Sequence, residues 1–173
     1  DSTCAAIGEF WAGRIPSVND FATVYLAAGF GLGLVTNGDV YRGSSSNVGE
    51  IGHMVLDVKG PSCWCGGFGC LEALAAPARV VFLAGQDDGD LGLHGRNSAI
   101  RADFAKIARG AVAGDQRCLA LIEKSAWYLA KALLSITNLL DLSQIILAGP
   151  GFSEAGEIYA RVASSELGRL SFV

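Results

Sequence analysis

His53, Cys63, Cys65 and Cys70 bring one imidazole and three thiols into a short stretch, with nine residues between His53 and Cys63 and four between Cys65 and Cys70. That is the donor set of a closed tetrahedral Zn2+ site, structural rather than catalytic because protein fills every position. Zinc there would pin a Gly- and Pro-containing loop that cannot supply its own folding energy. A disulfide or scattered buried thiols are the competing readings, and Cys63 and Cys65 are too close in sequence to pair comfortably. Two carboxylates flank the set: Glu50 three positions before His53, and Glu72 two positions after Cys70. An ionised carboxylate offers several acceptor positions in a fixed direction, which suits a polyhydroxylated small molecule. The ordinary alternatives are a solvated loop carboxylate for Glu50 and, for Glu72, a helix N-terminal charge favoured by the dipole.

The elements that must hold these residues can be read from periodicity. A helix is expected over 1–13, capped by Asp1 or Ser2, followed by a β-rich run over 21–28 that continues to Val35 through a glycine-rich break. Thr36-Asn37-Gly38-Asp39 is a two-residue hairpin turn returning into a strand over 40–42. A short strand is expected over 54–58, and an alanine-rich helix from Glu72, interrupted near Pro77, over 72–84. Residues 85–97 form a Gly/Asp-rich loop in which His94 reads as a solvated side chain. Helices follow over 99–109 and 115–140, the second with an apolar stripe from Leu119 to Leu140 at alternating spacings of three and four. Residues 144–148 read as a central strand covered on both faces, and Gly149-Pro150-Gly151 turns into a last helix. Hairpins, long helices and an interior strand together specify an α/β lobe with a mixed sheet.

Composition narrows the function. Of 173 residues 51% are apolar and the formal net charge is −4, which argues against a general nucleic-acid surface. No apolar run reaches the roughly 20 residues that span a bilayer. Five cysteines, three of them in the cluster and Cys4 and Cys118 alone in helical patterns, favour a reducing, cytoplasmic setting.

Gly49-Glu50-Ile51-Gly52-His53, followed by Cys-x-Cys-Gly-x-x-Gly-Cys-Leu-Glu over 63–72, resembles the signature of the ROK family of repressors, open reading frames and sugar kinases. The resemblance implies an actin-like, ribonuclease-H-type ATPase fold. Residues 1–173 would be its C-terminal, sugar-binding and zinc-containing lobe, with the N-terminal lobe and any DNA-binding domain lying outside this chain. It implies that His53, Cys63, Cys65 and Cys70 ligate zinc, and that Glu50, His53 and Glu72 contact sugar hydroxyls. In the kinases of the family the counterpart of Asp1 is the general base that takes the proton of the attacking sugar hydroxyl; a plain N-cap is the alternative. Gly29-Phe30-Gly31-Leu32-Gly33 sits where those kinases carry a Gly-Thr-Gly-x-Gly phosphate loop, and Phe30 replaces the hydroxyl donor with a bulky ring. Gly149-Pro150-Gly151 resembles the adenosine-side turn, and its plain reading is a strand-to-helix turn. The departure at Phe30 points to a sugar-sensing transcriptional regulator, with operator DNA met through an absent N-terminal domain. An ATP- and Mg2+-dependent sugar kinase is the alternative. The family also implies a homo-oligomer.

Overall fold

The computed structural model describes residues 8, 19–86 and 99–170. Gly8 is helical, and the rest of the helix expected over 1–13, with Asp1 and Cys4, and the loop residue His94 lie outside the described residues.

Among the described residues four strands form one mixed sheet: β1 (Phe21–Leu26), β2 (Phe30–Thr36), β3 (Asp39–Tyr41) and β4 (Gln144–Ala148). Their order is β3-β2-β1-β4; β1–β2 and β2–β3 are antiparallel and β1–β4 is parallel. The expected hairpin turn is present, with Asn37 and Gly38 at φ 53° and 78°, the left-handed pair that matches strand twist. Asp20 Oδ1 accepts the Asn37 N–H at 2.9 Å.

Five helices accompany the sheet among the described residues: α1 (Leu71–Ala75), α2 (Pro77–Ala84), α3 (Ile100–Val112), α4 (Gln116–Leu140) and α5 (Gly156–Leu170). The break expected near Pro77 separates α1 from α2. Ala76 is extended, at φ −62° and ψ 159°, as a residue before proline prefers. Helix α4 packs against α1, α2, α3 and α5 and buries Ile122, Ala126, Leu129, Leu133 and Ile136, the stripe read from the sequence. Its far end, Leu140, is exposed where the helix stops at left-handed Asp141. No helix among the described residues is long and apolar enough to cross a membrane.

Asp115 caps α4, its Oδ1 accepting the Cys118 N–H at 2.8 Å. That hydrogen bond holds the carboxyl below its ordinary value of 3.8. A depressed carboxyl stabilises the fold above its unfolded value, and the contribution is lost as pH falls through the folded value. Asp115→Ala is therefore expected to lower Tm by a few degrees at neutral pH. In melts taken across the acid range, that difference from the parent protein should shrink towards zero.

Two elements differ from the sequence reading. Strand β4 is an edge strand among the described residues, not a central one, and Ile145 to Ala148 are only half-buried. An apolar run reports that a strand's faces meet apolar matter; it does not report whether its second edge finds a partner. Ile145 and Leu147 line a groove of about 610 Å3 with Leu133, Leu142 and Leu167. The strand expected over 54–58 is reduced to an isolated bridge, Val55 opposite Cys70. Its opposing segment turns at Gly69, φ 62°, so no ladder can extend there.

Candidate functional site

The ligand set converges. His53 ends a 3-10 turn (Ile51–His53), Cys63 and Cys65 sit on the following loop, and Cys70 is the N-cap of α1. One ligand atom from each of the four lies within 4.8 Å of every other. Cys63 Sγ is 3.6 Å from His53 Nδ1 and Cys65 Sγ is 3.7 Å from Cys70 Sγ. A tetrahedron with Zn–S near ~2.3 Å and Zn–N near ~2.0 Å has S···S edges of about 3.8 Å and S···N edges of about 3.5 Å. The spacing fits that ion.

Chemistry agrees with geometry. Burial first, and then the neighbouring Cys65 and Cys63 thiols, push Cys70 up to about 12, and a bound cation would favour its thiolate. Cys65 is held below its ordinary value, chiefly by the Gly67 N–H. The loop is cast around the cluster: Cys63 N–H donates to Gly67 O at 2.8 Å and Gly66 N–H to Cys63 O at 3.0 Å. A Cβ at Gly69 would lie 1.6 Å from Asp57 O, so only glycine fits this turn.

Glu72 stands in the first turn of α1, half-buried. Its Oε2 accepts the Phe30 N–H at 3.0 Å. The carboxylate occupies a cradle of missing side chains: a Cβ on Gly29 would lie 2.3 Å from Oε1, and one on Gly52 3.0 Å from Oε2. Burial raises its pKa, the Phe30 N–H and the His53 charge oppose the shift, and Glu50 adds to it. Glu72 is thus close enough to feel the charges of both His53 and Glu50. Glu50 is exposed and leaves from a backbone fixed on β2, where Leu32 N–H donates to Gly49 O at 2.8 Å. Gly49 has φ 94°, and a Cβ there would meet Leu32 O at 1.9 Å. The result is a set of carboxylate acceptors beside the His/Cys cluster.

The glycine turns carry a correction. Phe30 does not occupy the tip of the β1–β2 turn. It opens β2, opposite Leu26, with its ring in the core and only 5% exposed. The tip is Ala27-Ala28-Gly29, which offers no hydroxyl, and the Ala27 N–H is bonded back to Gly29 O at 3.2 Å. Gly31 and Gly33 pair with Tyr25 and Thr23 inside the ladder. Gly149, φ 100°, and Gly151 are pressed on Leu26; added Cβ atoms would come to 2.5 Å of its O and 2.3 Å of its Cγ. Packing alone therefore requires glycine at 149 and 151. The two turns do meet, at a cavity of about 180 Å3 lined by Ala27, Pro77, Arg101, Phe104 and Pro150–Gly151 among others. That volume is below the ~300 Å3 at which sites for drug-sized ligands begin.

Sequence reasoning missed two contributors: the Phe30 N–H that orients Glu72, and Trp64, exposed between two ligands with its ring edge-to-face to His53 at 4.6 Å. No local signal marks the first, since the partners are 42 residues apart. Position between two cysteines could have flagged the second.

A family model described as ROK family matches residues 1–169. The chain belongs to the ROK family. Two ROK relatives differ in kind. A glucokinase of Halalkalibacterium halodurans is 31% identical over 166 residues, 91% of this chain and 49% of that protein. The DNA-binding transcriptional dual regulator NagC of Escherichia coli K12 is 33% identical over 153 residues, 86% of this chain and 36% of that protein. The chain thus spans half or less of the length of these relatives. Among solved structures, a ROK family transcriptional regulator homologous to the E. coli MLC protein superposes with TM-score 0.84 at 25% identity, over 99% of this chain and 43% of that one.

Proposed function

We propose that this ROK lobe, one half of an actin-like ATPase fold, is the carbohydrate-sensing part of a transcriptional regulator. The observation that carries the proposal is the Glu72 carboxylate, held by the Phe30 N–H in its glycine cradle beside Glu50 and His53. Sugar hydroxyls donate to Glu72 and Glu50, and His53 contributes its imidazole edge. Zn2+ on His53, Cys63, Cys65 and Cys70 supplies structural cross-linking of the loop. Bound sugar favours one arrangement of the lobes, and that population shift reaches operator DNA through a helix-turn-helix domain elsewhere in the protein. A protein of this kind works in the cytoplasm as a homo-oligomer.

The turn tip supports a regulator over a kinase. Ala27 and Ala28 leave a phosphate without a hydroxyl donor, and a hydrogen bond to a charged group is worth about 1.5–3 kcal/mol, more than tenfold in affinity. The kinase reading has its own observations in favour: the Phe30 ring does not obstruct the tip, and both glycine turns border one cavity. On that reading ATP and Mg2+ are bound in part by the turns that carry Gly29 and Gly149 to Gly151, and Asp1 is the general base.

Titrating the intact protein with hexoses, N-acetylhexosamines and xylose, with and without ATP and Mg2+, separates the two. Sugar binding without nucleotide, altered operator affinity and no phosphorylated product are expected. Turnover on the order of 1–100 s−1 assigns a kinase instead.

A further inference from the structure

Ser125, midway along α4 and 2% exposed, has its hydrogen bonds outside the candidate site. Its Oγ lies 2.6 Å from Ala75 O and 2.7 Å from Tyr159 Oη. A carbonyl only accepts, so the one hydroxyl proton of Ser125 goes to Ala75. Tyr159 must then donate to Ser125 Oγ, which orders the chain as Tyr159 to Ser125 to Ala75. Ala75 and Tyr159 are fully buried.

The reason Ala75 needs this partner is local. It closes α1, and in a continuous helix its carbonyl would accept from the Arg79 N–H. Arg79 N–H instead donates to Ala76 O at 2.8 Å, because α2 restarts at Pro77. Ser125 therefore takes the place of a helical donor. At its opposite end α1 is tied by Cys70, its N-cap and a member of the ligand set, and by Leu71 N–H donating to Met54 O at 2.9 Å. A helix of five residues cannot hold itself. Both ends are held from outside.

We propose that Ser125, backed by Tyr159, is a positioning residue of the ligand site: it fixes the C-terminal end of α1 and so the direction in which Glu72, one turn earlier, presents its carboxylate. The proposal rests on the reading of Glu72 as a sugar contact. Tyr159 is itself seated edge-on against Phe152 at 5.1 Å, so the clamp is anchored on the 150–152 turn as well as on α5.

The test compares Ser125→Thr with Ser125→Val in the intact protein. Both add the same bulk and only Thr keeps the hydroxyl, so any packing cost cancels. Sugar dissociation constants are measured well below both melting temperatures, and hydrogen exchange is followed for the amides of α1. Expected is a Kd roughly fivefold or more higher in the Val variant than in the Thr variant, with faster exchange confined to α1 and zinc content unchanged. Tyr159→Phe, which keeps the ring, gives a smaller change in the same direction and serves if the Ser125 variants do not fold. Equal Kd values and equal exchange in Thr and Val overturn the clamp while leaving the sugar reading intact. Parent protein that binds no sugar of the panel removes the ligand role of Glu72 and with it the proposal as stated, and exchange still reports whether Ser125 holds α1.

Discussion

Replacing Cys70 by serine will strip the metal from the loop and abolish carbohydrate affinity. Cys70 holds two positions, as a member of the His/Cys cluster and as the N-cap residue of the helix that carries Glu72. Cys70 makes no side-chain capping bond that the change could break, and serine suits an N-cap but is a poor ligand for a borderline-soft ion, so the substitution isolates the metal. Structural zinc contributes about 10–16 kcal/mol to isolated zinc-finger peptides. Here the sheet and α4 have a core of their own, and the loss will fall mainly on residues 53–75. A Tm decrease on the order of 10 °C is expected, corresponding to several kcal/mol for a domain of this size. Elemental analysis of the parent should find one zinc per chain and of the variant almost none. A metal-free Cys70→Ser protein with unchanged sugar affinity would sink the site.

Gly29→Ala should do the opposite: harm binding with little cost to stability. The new methyl would lie 2.3 Å from Glu72 Oε1, but that oxygen is the far end of a flexible side chain. Gly29 is outside the left-handed region, so alanine is tolerated by the backbone. Glu72 must swing away, losing the Phe30 N–H and its aim. Hydrogen bonds to charged groups are worth about 1.5–3 kcal/mol, so sugar Kd should rise roughly 10–100-fold while Tm moves little. Glu72→Gln, which keeps the shape and removes the charge, should match it. The measurement is made without nucleotide, and that is its force. If Gly29 served a phosphate instead, sugar affinity alone would be unaffected and only ATP binding would fall.

Much of the site was legible because its parts are local. His53, Cys63, Cys65 and Cys70 all fall within positions 53 to 70, and the structure brings them together as one cluster. The Asn37-Gly38 turn and the stripe of α4 were equally readable, since each depends on residues within a few positions. What could not be read depends on partners far along the chain. Gly29 looks like part of a phosphate loop until Glu72 is placed against it. Phe30 looks like an obstruction until its side chain is seen turned into the core. Gly149 and Gly151 look like a nucleotide turn, and their closest neighbour is Leu26. Strand β4 failed for a related reason: hydrophobicity reports coverage of faces, and edge pairing is a matter of topology.

The two-ended tethering of α1 has a thermodynamic consequence. The conformational freedom of Glu72 is surrendered when the chain folds, before any visitor arrives, so little ordering remains to be done at encounter. Calorimetric selectivity among epimeric sugars should then reside in enthalpy, through hydroxyls that meet or miss a stationary acceptor.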